Sequence, residues 1–267
     1  MIHNILTIAG SDPSGGAGIQ ADLKSFAALG AYGCAVLSAL TAQNTRRVDG
    51  VHLVPPEFVA QQIDTLFADV RIDAVKVGMV ATAELATVIA DRLQVHGAQN
   101  LVVDPVMVAK GGDRLLAEEA VGAVRTRLAP IAAVLTPNLP EAAVLTGLPE
   151  PRDLAGMRGL LPALLALGPK AVVLKGGHLG TEDAPDLFAD GERVVELPAR
   201  RIATRNTHGT GCSYSSAIAA LLPRHQDKLE AVRAAKAWLT GAIANADRLE
   251  VGHGHGPIHH FHALWTD

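Results

Sequence analysis

Short apolar runs alternate with longer amphipathic stretches along almost the whole chain, the pattern of βαβ units built around a mainly parallel sheet. The runs predict strands over 4–9, 34–41, 73–78, 101–104, 132–136 and 171–175. Apolar positions at helical spacing predict helices over 16–29, 56–68, 82–96, 115–128, 139–146, 153–167, 211–222 and 228–248. Several helix starts carry local signals: Pro55-Pro56 ahead of Glu57, Thr82 placed to cap before Glu84, and Pro140 before Glu141. The pattern changes after Asp186, where Asp190-Gly191 separates two short apolar runs; this hairpin signal predicts antiparallel strands at one edge of the sheet.

At 267 residues the chain is long enough for one α/β domain or two small ones, and no linker divides it. A net charge of −4 offers no basic footprint, which argues against nucleic acid and anionic membranes as partners. The N-terminal residues read as a strand rather than a signal peptide, and no apolar run approaches the ~20 residues of a membrane span. Of the two cysteines, Cys34 lies inside an apolar run and Cys212 in a polar turn, so no disulfide framework is expected and a reducing cytoplasm fits.

The candidate chemistry gathers at the carboxyl ends of the predicted strands, where open parallel sheets bind ligands. There stand Gly10 to Gly18, Gln43, Met79, Asp104 with Val106, Asn138 with Glu141, and Lys175. Carboxylates, a lysine and glycine-rich turns are the parts that hold a metal polyphosphate, so the set points to phosphoryl transfer. Each also has a plain structural reading: Asp104 as a helix cap, Glu141 as a solvated first-turn acid, Lys175 as an exposed strand-end charge. Gly209-Thr210-Gly211-Cys212 reads as a glycine turn opening a helix, an anion site whose dipole is expected to make the Cys212 thiol more acidic than a free one. The first glycine loop resembles two motifs incompletely. Gly10 to Gly15 has Walker A spacing without the lysine, and Gly16 to Ala21 has dinucleotide-fingerprint spacing without an acid after the second strand. Gln43, as a carboxamide, can read the ring nitrogen and amino group of an aminopyrimidine, or it can simply satisfy a turn.

Taken together, Ile8 to Asp12, Gly18 to Lys24, Thr41 to Thr45, Asp104 to Met107, Thr136 to Ala142, Lys175 to His178 and Thr207 to Cys212 closely resemble the hydroxymethylpyrimidine/phosphomethylpyrimidine kinase family. The resemblance runs to Gly252–Pro257 and implies one domain over 1–267. It implies the ribokinase-like fold, a three-layer α/β/α sandwich with a mainly parallel sheet and an antiparallel edge. The implied reaction uses ATP and Mg²⁺ to phosphorylate 4-amino-5-hydroxymethyl-2-methylpyrimidine and then its monophosphate. By position, Gln43 looks like the pyrimidine reader, with Asp22, Met79, Gly10 and Val106 on the substrate side. Cys212 stands where many ribokinase-like enzymes have an Asp base, and Gly209, Thr210 and Gly211 form the site for the transferred phosphoryl group. Lys175, Asn138 and Thr207 fall on the nucleotide side, and Asp104 with Glu141 resemble the acids that organise Mg²⁺ directly or through water. The family also implies a homodimer.

The histidine-rich tail, His253 to His262, lacks the spacing of a structural zinc site and is expected to pack near the nucleotide end. Residues 109–113 are the expected closing segment. A pyridoxal or pyridoxine kinase of the same fold is the alternative substrate reading. An NAD-dependent oxidoreductase and a silent binding module are the alternatives from other classes.

Overall fold

The computed structural model describes residues 1–107 and 118–265. Its strands are β1 (Asn4–Gly10), β2 (Tyr32–Gln43), β3 (Val48–Leu53), β4 (Ala74–Val77), β5 (Leu101–Val103), β6 (Val134–Leu135), β7 (Val172–Leu174), β8 (Asp186–Ala189) and β9 (Val194–Leu197). They form one nine-stranded sheet in the order β3-β2-β1-β4-β5-β6-β7-β8-β9. From β2 through β7 the neighbours in that order are parallel. At one end β3 pairs antiparallel with β2, and at the other β8 and β9 continue antiparallel from β7.

The helices are α1 (Gly18–Ala28), α2 (Pro56–Phe67), α3 (Ala83–Val95), α4 (Glu118–Ala123), α5 (Leu139–Thr146), α6 (Leu154–Leu165), α7 (Thr210–Leu221) and α8 (Lys228–Ala244). Two buried clusters divide them between the faces of the sheet. One joins Leu6, Ile8, Val75 and Val77 to residues of α2 through α6, and the other joins Ile5 and Ala74 to residues of α1, α7 and α8. This is a three-layer α/β/α arrangement. Because side chains alternate along a strand, Thr7 and Lys76 share the face covered by α1 and α7. They are also direct register partners across β1 and β4.

The sheet departs from the sequence expectation in having antiparallel strands at both edges, since β3 was not predicted. Val48-Asp49-Gly50-Val51-His52-Leu53 has no buried face, so no apolar alternation marks it. It becomes a strand by pairing with the long second half of β2, where Ala39↔Leu53 and Gln43↔Val48 are register partners. The expected 115–128 helix is seen from Glu118, as α4 followed by a π-helical turn over Val124–Leu128; residues 115–117 and the expected closing segment 109–113 lie outside the described residues. The last predicted helix ends at Ala244, with a 3₁₀ turn over Ala246–Arg248. Among the described residues no helix is long and apolar enough to cross a membrane.

Candidate active site

A cavity of ≈ 860 Å³ opens over the carboxyl ends of the parallel strands. Gly10 comes to it from the end of β1, Gln43 from β2, Met79 from beyond β4, and Asp104 and Val106 from beyond β5. Asn138 and Glu141 enter at the start of α5, Lys175 follows β7, and Thr207 to Cys212 line it at the start of α7. The structure therefore brings together every candidate residue but one. Asp22 does not line the cavity: it is fully buried one layer below, paired with Lys76. At the substrate side, a Cβ on Gly10 would lie 2.5 Å from Met79 Cε, so glycine there makes room for the methionine over the cavity floor.

The turn before α7 is open to an anion. Gly209 is the N-cap at φ +74°, and no side chain caps the first-turn N–H groups. Glycine is required twice over, because a Cβ there would also lie 1.7 Å from Gly16 O. The first glycine loop thus serves a purpose different from either motif its spacing resembles: it lets the two turns pack backbone against backbone. Asp12 ties them together, accepting from Ser14 N, Ala17 N and His208 Nε2 at 2.9, 2.8 and 2.7 Å. Despite burial, the hydrogen bonds and charge of His208, with those of Ser14 and Ala17, hold the Asp12 carboxyl down at about 2.

The charged wall is a coupled set. Lys175 Nζ lies 2.8 Å from Asp104 Oδ1 and 4.0 Å from Glu141 Oε2. Asp104 also accepts from Thr136 Oγ1 and Ser215 Oγ, each at 3.2 Å. Against its burial, Lys175 and Lys76 hold Asp104 below the usual carboxylate range. Glu141 is held by a reciprocal capping box: Asn138 N donates to its Oε2 at 2.8 Å, and Glu141 N donates to Asn138 Oδ1 at 2.9 Å. Lys175 is therefore not an exposed strand-end charge, and Glu141 is not a solvated acid.

Burial, reinforced by the Asp104 charge and opposed by Lys175, pushes Glu141 up to about 7. A folded-state value above the ordinary 4.5 means that its contribution to stability is fully present below that value and is lost as pH rises through about 7. Without ligands, the melting temperature of the parent is expected to fall from pH 5 to pH 8. The Glu141→Gln variant should lose less over the same interval, by roughly 3–10 °C, in calorimetric scans. Equal pH dependence in the two proteins would refute the assignment.

The structure corrects the expected acidity of Cys212. Burial pushes the thiol up to about 11, with Asp104 and Asp22 adding to the rise; Lys76 and the Gly18 N–H oppose it. The helix terminus is present, but desolvation of the thiolate outweighs it. Both cysteines are free thiols.

A sequence profile described as phosphomethylpyrimidine kinase matches residues 12–259. The chain belongs to that kinase family. A hydroxymethylpyrimidine/phosphomethylpyrimidine kinase of Escherichia coli is 55% identical over 98% of each chain. Among solved structures, the ADP complex of Bacillus subtilis pyridoxal kinase superposes with a TM-score of 0.92 at 37% identity, covering 100% of both chains. The phosphomethylpyrimidine kinase of Clostridium difficile gives 0.80 at 41% identity, over 90% of this chain and 99% of that one. The fold is thus the ribokinase-like sandwich, and the chain is a phosphotransferase.

For this kinase, the sequence reading missed Lys76, Ser215 and Ser216, and took Asp12, Thr136 and His208 only as members of longer motifs with no role of their own. The one available signal was a lone charge inside the apolar strand Ala74–Val77, since a central strand position carries a lysine only where a counter-charge awaits it. The tail histidines go to separate places. The backbone N–H of His255 donates to Thr45 O at 3.0 Å, just after Gln43. His260 Nε2 meets Ser213 Oγ at 2.9 Å, and the His262 ring lies 6.2 Å from that of Trp238.

Proposed function

We propose that this kinase transfers the γ-phosphoryl group of ATP to the hydroxymethyl oxygen of 4-amino-5-hydroxymethyl-2-methylpyrimidine and then phosphorylates the monophosphate to the diphosphate. One observation carries the reading: a carboxamide suited to an aminopyrimidine, Gln43, shares a single cavity with the glycine turn, Cys212 and Lys175. The Gln43 carboxamide bonds none of the described residues, which leaves both its ends for a ligand. As the substrate oxygen bonds to phosphorus and the bond to ADP breaks, the hydroxyl proton passes to Cys212 Sγ and later to water. The uncapped N–H groups of the turn and the Lys175 ammonium take the charge on the transferred group. Thr207 and Asn138 line the same cavity as Lys175 and serve the nucleotide side in this reading.

The acids fit Mg²⁺, an ion that takes oxygen ligands. Asp104 has both oxygens engaged by Lys175, Thr136 and Ser215, whereas Glu141 is a buried acid short of counter-charge. Asp104 and Glu141 would hold the ion, which neutralises charge on the phosphate oxygens when bound.

With ATP, Mg²⁺ and the hydroxymethylpyrimidine, chromatography is expected to resolve both mono- and diphosphate; failure to form either overturns the reading. The shape match to a pyridoxal kinase favours a secondary activity on pyridoxine, with kcat/KM below that for the pyrimidine.

We also propose that residues 1–267 form one kinase domain acting in the cytoplasm, with no nucleic-acid partner. It pairs as a homodimer through the β3 edge, where Leu40, Val51, Leu53 and Phe58 are exposed. Light scattering at micromolar concentration should give twice the 27.8 kDa chain mass, and a monomer would exclude that pairing.

A further inference from the structure

Cys212 and Ser216 stand one turn apart on α7, and Gly18 and Asp22 stand in the same relation on α1. The two helix starts lie side by side. The Gly18 N–H favours the Cys212 thiolate, and Ser216 Oγ donates to Asp22 Oδ1 at 2.6 Å. Lys76 meets this layer from β4 in the sheet beneath it. Its ammonium is 2.9 and 2.8 Å from the two Asp22 oxygens, and both side chains of the pair are 0% exposed. Thr7 Oγ1 donates to Asp22 Oδ2 at 2.6 Å, so the carboxylate is fully supplied with donors. Gly78 leaves the ammonium its space, since a Cβ there would lie 2.6 Å from Nζ.

An ion pair buried this completely gives little stability over a well-packed apolar pair. Its position gives it another use. Lys76 is also part of the cavity wall, together with Cys212. An ammonium has three N–H bonds, and no described residue other than Asp22 accepts from this one.

We propose that Lys76, held by Asp22, is the counter-charge to the Cys212 thiolate and acts in the transfer through Cys212, as a positioning residue that does not touch the substrate. This rests on the kinase reading above. Four charged groups act on the thiol: Lys76 from β4 and Lys175 beyond β7 favour the thiolate, while Asp104 beyond β5 and Asp22 from α1 oppose it. Lys76 keeps its protons throughout. The proton that moves is the substrate's, passing to Sγ as the oxygen–phosphorus bond forms and the bond to ADP breaks.

The proposal makes predictions of opposite sign for the two members of the pair. Alkylation by iodoacetamide reads the thiolate directly. It should be followed from pH 7 to pH 11 by mass spectrometry of the peptide bearing Cys212, with the Cys34 peptide as internal reference. In Lys76→Met the Cys212 rate at pH 8 is expected to fall at least tenfold. In Asp22→Asn it should rise at least threefold, because an opposing anion is gone while the ammonium remains. Unchanged rates, or shifts of the same sign in both, would overturn the proposal, since a merely structural pair disturbs the sulfur alike from either side. Should Lys76→Met not fold, the sign for Asp22→Asn decides alone. In the kinetic assay Lys76→Met should lose at least tenfold in kcat with KM for the pyrimidine within threefold, and recover as pH is raised. Alkylation needs no substrate, so a parent enzyme that forms no phosphorylated pyrimidine defeats the kinase reading separately from this one.

Discussion

A Cys212→Ala enzyme is expected to lose about 10²–10⁴-fold in kcat, the usual scale for a positioned general base, while still binding the pyrimidine. The binding side should survive because Gln43, Met79, Gly10 and Val106 reach the cavity from β1, β2 and the loops after β4 and β5, away from α7. The pH dependence carries more information than the size of the loss. With the thiol pushed up to about 11, only on the order of one molecule in 10⁴ carries the thiolate near neutral pH. The active form is the deprotonated one, so log kcat of the parent should rise with pH through the neutral and mildly alkaline range, with a slope near one. In Cys212→Ala that rise should vanish. Steady-state kinetics across pH 6.5–9.5, with calorimetry for substrate binding, tests both parts. Turnover within threefold of the parent would show that charge neutralisation and positioning suffice without a base at this site.

Lys175→Met should be damaging for two separable reasons. Its ammonium is 2.8 Å from Asp104, which is 1% exposed, so removing it strands a buried carboxylate; breaking such a pair costs about 3–5 kcal/mol. It also stands against the phosphoryl site, where a Cβ placed on Gly211 would be 3.3 Å from Nζ. Losing that donor is expected to lower kcat/KM by a further ~10²–10³-fold, the scale for one preorganised transition-state donor. Urea unfolding without ligands measures the first loss, and kinetics at a temperature where the variant remains folded measures the second. A Lys175→Met/Asp104→Asn enzyme removes the stranded charge, so it should regain much of the stability and little of the activity. Recovery of activity along with stability would assign Lys175 to the fold alone.

The contrast between these residues shows how far the chain could be read without coordinates. Asp104, Glu141 and Lys175 were legible because each follows a short apolar run, and parallel strands deliver their carboxyl ends to one rim. Gly209 to Cys212 was legible because a glycine turn ahead of an apolar helical stripe marks a helix start. Asp22 was placed in the substrate pocket by the family resemblance. In the fold, α1 turns it inward to Lys76, 54 positions away, and to Ser216, 194 positions away. The Asp12–His208 contact spans 196 positions and has no local signature. The edge strand β3 escaped because a strand with no buried face carries no apolar pattern.

The acidity of Cys212 marks the boundary most clearly. From sequence, a helix terminus makes the thiol a better acid, and that argument is sound for an exposed turn. In the structure, desolvation at the base of the cavity raises it instead, and Lys76 is the main charge opposing that rise. Periodicity, turn chemistry and strand-end position are properties of neighbouring residues, so the sequence alone determined the layers, the rim and most of the side chains that stand along it. Desolvation and ion pairing depend on groups brought together from distant strands and helices, so only the tertiary structure decided which of those parts are charged, and what holds them so.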